Sequence, residues 1–105
     1  MFTKGSLSAP RKRLLEIMQK TNFGRIESLQ VIGGEPVFNP PPRVVKDVKL
    51  GADNDVRPEV TNPDFLLKRE HIELFGSLTA IANGTIDEIE IKHGLPFKLV
   101  VEQEV

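Results

Sequence analysis

The stretch Gly24-Arg25-Ile26-Glu27-Ser28-Leu29-Gln30-Val31-Ile32-Gly33-Gly34-Glu35-Pro36-Val37 recurs 60 residues later as Gly84-Thr85-Ile86-Asp87-Glu88-Ile89-Glu90-Ile91-Lys92-His93-Gly94-Leu95-Pro96-Phe97. Gly, Ile, Gly and Pro recur identically at 24/84, 26/86, 34/94 and 36/96. Composition alone supplies roughly one identity over such a length, so four in ungapped register is informative. Glu27/Asp87, Leu29/Ile89, Val31/Ile91 and Val37/Phe97 recur in kind, and the register runs back through Leu14/Leu74, Leu15/Phe75 and Met18/Leu78. The chain reads as a duplicated unit.

Each unit has a physical reading. Leu7, Leu14, Met18 and Thr21 recur at helical spacing, with Leu15 and Ile17 widening the apolar stripe. Ser6 or Ser8 suits the N-cap, Pro10 the first turn, and Gly24 the left-handed position past the last turn. In the second unit Asn62-Pro63-Asp64 is a helix start signal. Leu67, His71, Leu74, Leu78 and Ile81 then form one stripe, joined by Phe75 and Ala82, and Asn83-Gly84 ends it. Beyond each helix, Leu29 and Val31 alternate with Ser28 and Gln30, and Ile89 and Ile91 with Glu88 and Glu90. That is a strand with one dry and one wet face. Ile26 and Ile86 are out of phase in both copies, so a bulge is expected near Glu27 and Asp87. Gly33-Gly34 and His93-Gly94 are two-residue turns needing positive φ, and Pro36 and Pro96 open the return strands. Phe97, Leu99 and Val101 alternate along the second return strand. Asn39-Pro40-Pro41-Pro42 breaks the first, and Val44, Val48 and Leu50 suggest a further strand on 43–50.

These readings give an α+β fold, a tandem αββ repeat in the order α-β-β-(β)-α-β-β. One antiparallel sheet carries both helices on one face about a pseudo-two-fold axis. A single domain, 1–105, is expected, built from units at about 7–50 and 62–105 joined by a loop at 51–61. Neither unit alone has enough apolar surface to bury, so residues 60–105 by themselves are expected to be unfolded or to self-associate.

Each unit resembles the YezD-like family of short, uncharacterised bacterial helix-plus-hairpin proteins. The matching residues are Gly24, Ile26, Leu29, Val31 and Gly34, and again Gly84, Ile86, Ile89, Ile91 and Gly94. The resemblance covers each half from mid-helix through the hairpin. It implies the helix-plus-hairpin fold and carries no activity. The chain departs from the pattern in having two units in tandem and a proline-rich break at 40–42.

Composition removes whole classes of chemistry. The 105 residues include no cysteine, which excludes disulfides, thiol catalysis, Fe–S clusters and Cys-based zinc sites. With no Trp and no Tyr, aromatic recognition falls to six Phe. No apolar run approaches the ~18–20 residues of a membrane span, and Met1–Leu7 does not read as a signal peptide, so a cytoplasmic location is expected. The net charge of −1 conceals an asymmetry. Residues 1–52 carry nine basic and four acidic groups, residues 53–105 five basic and eleven acidic. Such a split suits contact between unlike halves or a basic nucleic-acid surface, and equally two ordinary solvated faces.

Side chains able to do chemistry are few. His71 lies on the apolar stripe without a second His at i+4, which fits packing better than metal binding. His93 falls in a turn. Asp53-Asn54-Asp55-Val56-Arg57-Pro58-Glu59 lacks the glycine and terminal glutamate spacing of a calcium loop. Glu88, Glu90, Glu102 and Glu104 belong to the wet strand faces. There is no phosphate loop, nucleophile elbow or dinucleotide fingerprint. Pro36 to Arg43 reads as a stiff connector. No catalytic residue, metal ligand or cofactor is assigned. The leading expectation is a non-catalytic interaction or accessory protein, with a protein partner or self-association. The alternative is a nucleic-acid-binding regulator using the basic first helix, with Arg11, Lys12, Arg13, Lys20 and Arg25 as contacts. Against it, positions 28, 30, 88 and 90 of the wet face carry no aromatic to stack a base.

Overall fold

The computed structural model describes residues 3–51 and 67–102. Helix α1 (Ala9–Thr21) precedes strands β1 (Gly24–Ile32), β2 (Glu35–Val37) and β3 (Arg43–Lys46). Helix α2 (Arg69–Ile81) precedes β4 (Gly84–Lys92) and β5 (Leu95–Val101). The five strands form one antiparallel sheet in the order β2-β1-β4-β5, with β3 also on β1, so the fold is α+β. Leu14, Leu15 and Met18 of α1 and Leu74, Phe75 and Leu78 of α2 meet Ile26, Leu29, Val31, Ile86, Ile89 and Ile91 in a single buried cluster. One sheet face is therefore roofed by helices, and among the described residues nothing covers the other, the bare face.

The hydrogen-bonded register centres on the β1–β4 pair. Gly24 faces Ile91 while Gly84 faces Val31, and Ile26 faces Ile89 while Ile86 faces Leu29. Each residue and the one 60 positions on thus exchange partners. Ile26 and Leu29 are both fully buried although three apart, because Ser28 between them takes φ 59° and leaves the ladder. In β4 the register against β5 shifts between Ile86 and Glu88. The irregularity expected near Glu27 and Asp87 is present on both strands.

Both hairpins close on two residues with positive φ: Gly33 and Gly34 at 60° and 76°, His93 and Gly94 at 55° and 73°. This is the turn whose twist matches that of paired strands. Several expectations are corrected beyond it. The strand on 43–50 ends at Lys46, and Val48 and Leu50 are exposed. Arg43–Lys46 is the continuation of β2 along β1, since both segments run antiparallel to β1, on Glu27–Gly24 and Ile32–Gln30 respectively. The prolines interrupt this lane because they remove successive N–H donors. The clean alternation of Phe97, Leu99 and Val101 fails as well. A register shift between Glu90 and Ile91 makes Phe97 the extra residue of β5 and leaves it 61% exposed, with Pro96 buried. Asn62-Pro63-Asp64 lies outside the described residues, and α2 begins at Arg69.

The helix ends correct the role given to Gly24. α1 starts as expected, with the Ser8 hydroxyl accepting from the Arg11 N–H and Pro10 in the first turn. It ends on Asn22 at φ 64°, ψ −57°, and α2 ends on Ala82 at φ 59°, ψ −63°. Each is the centre of a tight three-residue turn: Phe23 N–H donates to Thr21 O at 2.7 Å and Asn83 N–H to Ile81 O at 2.6 Å. The positive-φ form of this turn is rare and strained. The hairpins then cross over. Gly94 N–H donates to the Asn22 carbonyl at 2.8 Å, and Gly34 N–H to the Ala82 carbonyl at 2.9 Å. Because alanine gains nothing from positive φ, Ala82→Gly is expected to stabilise the fold by about 1 kcal/mol. A urea-unfolding midpoint unchanged or lowered by the substitution would show the turn to be unstrained.

Candidate interaction surface

The bare sheet face is built by the residues alternating with the core positions. Arg25, Glu27, Gln30 and Ile32 of β1 lie beside Thr85, Glu88, Glu90 and Lys92 of β4. Ion pairs within and across the strands lace this face. Arg25 Nε is 3.2 Å from Glu27 and 3.9 Å from Glu88, and Arg43 Nε is 3.4 Å from Glu27. Glu90 receives Lys92 at 3.8 Å and Lys98 at 3.6 Å. Such solvated pairs each contribute only tenths of a kcal/mol. Their effect is to fix a pattern of charge on a flat surface. Apolar side chains interrupt the pattern at its margins, with Ile32 59% and Val100 40% exposed.

Two grooves flank the sheet at its outer lanes. One runs between α2 and β5, lined by Glu70, Glu73, Ser77, Phe97 and Lys98. The other lies between α1 and β2, lined by Pro10, Arg13, Val37 and Phe38. Positions 10, 13, 37 and 38 stand 60 residues before 70, 73, 97 and 98. Both grooves are mixed in charge: Glu70 and Glu73 with Lys98 at α2, and Arg13 with Glu35 at α1, where the Arg13 guanidinium lies 4.4 Å above the Phe38 ring.

The basic residues of the first helix do not form one face. Arg11 Nη2 donates to the Gly34 carbonyl and to Thr79 Oγ1, both at 2.9 Å, tying α1 to the first hairpin turn and to α2. Its Nε lies 3.6 Å from Glu35. Arg13 stacks on Phe38, Lys20 is exposed at the far end of the helix, and Lys12 is half-buried. Arg25 belongs to the bare sheet face, opposite the helices, among glutamates.

His71 is 98% buried, its relative exposure being 2%. Its Nδ1 accepts the Lys68 N–H at 3.1 Å, capping α2 where Lys68 offers no acceptor of its own. Burial away from water pushes its pKa down from 6.5 to about 4; Glu70 opposes the shift and Lys68 adds to it. The unfolded chain therefore takes up a proton near pH 6.5 that the folded chain refuses until about pH 4. Stability from this group is complete above pH 6.5 and is lost as pH falls toward 4, by about 2 kcal/mol at pH 4.5. His71→Gln keeps an acceptor for the cap but does not titrate. Urea titrations at pH 7 and 4.5 are expected to show that part of the loss in the native chain and not in the variant.

Among the described residues no three His, Asp or Glu side chains converge where a metal ion would sit. Asp53 to Glu59 and Glu104 lie outside the described residues. His93 sits in its turn with its ring edge-on to Phe23 at 4.8 Å. Among the described residues no helix is long and apolar enough to cross a membrane. Sequence reasoning placed Phe97 in phase with Leu99 and Val101, and its exposure depends instead on the bulge in β5; Lys98 and Val100 were not singled out, although alternation with Leu99 puts them on the wet side. No protein-family model, curated protein or solved structure matches the chain.

Proposed function

We propose that this chain is a small, non-catalytic interaction protein of the cytoplasm that engages a protein partner through its bare sheet face. The observation that supports this most is the face itself: among the described residues nothing covers one side of the five-stranded sheet, which is patterned with ion-paired charges and rimmed by exposed Ile32 and Val100. A flat surface of this kind offers charge complementarity and apolar anchors together. A bacterial setting rests on the resemblance to YezD-like proteins. The nucleic-acid reading has less support, since Arg11 and Arg25 each stand beside carboxylates on different sides of the sheet. A photo-crosslinking residue placed at Gln30 or Thr85, at the middle of the face, tests the proposal in cells that make the protein. Protein adducts from both positions are expected. Their absence, or adducts to nucleic acid from a crosslinker at Lys12 instead, would overturn it.

A further inference from the structure

The two edges of the sheet differ in kind. One is broken: β2 and β3 are separated by Pro40, Pro41 and Pro42, and β3 carries Arg43 and Lys46, both exposed. Prolines and charges of this sort block the addition of another strand. The other edge is β5, seven residues long, with Phe97, Val100 and Val101 exposed beside it.

We infer that β5 pairs antiparallel with β5 of a second copy, centred on Val100. In that register Val100 faces Val100, Leu99 faces Val101, and Lys98 faces Glu102, twice. Lys98 and Val100 stand on the bare face, since they face Glu90 and Glu88 of β4, while Leu99 faces Ile89 of the core. Each copy thus presents cation, methyl groups and anion in an order that its own two-fold image complements. Opposite charges directly across a strand pair stabilise it and fix its register. The patch is the same on both copies, so the contact closes at two and leaves the proline-broken edges outermost. The bulge at Phe97 limits the pairing to residues 98–102, which makes a weak, reversible dimer rather than a permanent one.

This inference rests on the reading that the chain works by contact, but it concerns the edge and not the face. Sedimentation equilibrium on the full chain, up to about 100 µM, tests it. The native chain is expected to reach a monomer–dimer equilibrium. K98E and E102K are each expected to weaken it about tenfold or more, and the double reversal K98E/E102K to restore it to within a few fold. Circular dichroism checks that each variant is folded. A monomeric native chain, single reversals without effect, a double variant that fails to recover, or growth beyond two copies would each overturn the inference. Adducts at Gln30 and Thr85 beside a monomeric chain would leave the proposed function standing and remove only the dimer.

Discussion

Gly24→Ala is expected to lower the melting temperature by roughly 10 °C or more, from a destabilisation of about 2–3 kcal/mol. At Gly24, φ is +152° and a Cβ would overlap the carbonyl oxygen of Val45, a backbone atom that cannot move without unpairing β3 from β1. Gly84, 60 positions on, supplies a control. At Gly84 the added Cβ meets only the Ile81 Cγ2 methyl, at 3.2 Å, which a small side-chain adjustment clears. The described part of β5 ends its pairing at Ile86 and does not reach alongside Gly84. Gly84→Ala is therefore expected to lie within about 1 kcal/mol of the native chain. Thermal unfolding followed by circular dichroism distinguishes the two, and equal effects at both positions would show that the closeness of β3 is not what requires glycine at 24.

The second large effect lies in the core. Ile89 is fully buried at the centre of the sheet, facing Ile26 across β1 and Leu99 across β5. Ile89→Ala removes three carbons where strands on both sides prevent collapse, which costs about 3–4 kcal/mol, a large share of the stability of a domain this size. Ile26→Ala is expected to cost a similar amount. Since the two side chains face each other, the double variant opens one shared cavity, and its loss should differ from the sum by about 0.5 kcal/mol or more. Urea-unfolding midpoints with unchanged slopes are the measurement. A loss under about 1 kcal/mol for Ile89→Ala would mean that the sheet centre repacks freely.

Much of this fold was readable because its signals are local. Leu14, Leu15 and Met18 lie at helical spacing, Leu29 and Val31 alternate, and Gly33-Gly34 needs positive φ whatever surrounds it. The bulge was readable for a similar reason: Ile26 and Leu29 cannot both be buried on an unbroken strand. What escaped depends on neighbours distant in sequence. Gly24 looked like a helix terminator because its neighbour in β3 lies some 20 residues away, and the left-handed position fell to Asn22 and Ala82 instead. β3 looked like a new strand because nothing in Asn39 to Pro42 says that the chain returns to the lane it left. The candidate surface was partly readable: the wet faces of β1 and β4, and Val100 beside Leu99 in β5, follow from alternation, whereas the exposure of Phe97 follows from one extra residue in β5. His71 was correctly read as packed, but its cap to Lys68 was not foreseen, because lysine is not a residue that announces a helix start.

The crossed hydrogen bonds from Gly34 to Ala82 and from Gly94 to Asn22 have a kinetic meaning. Each helix is finished by the hairpin that belongs to the other half, so neither half can complete itself on the way to the native state. Local closure is thereby made to wait on contacts about 50 to 70 residues apart, whose loop entropy must be met before they reward the chain. The barrier then sits at the meeting of the halves, and both leave the folded state together. A chain built this way spends little time with one hairpin formed and its sheet edge bare, the state in which a small β-rich protein is most exposed to aggregation.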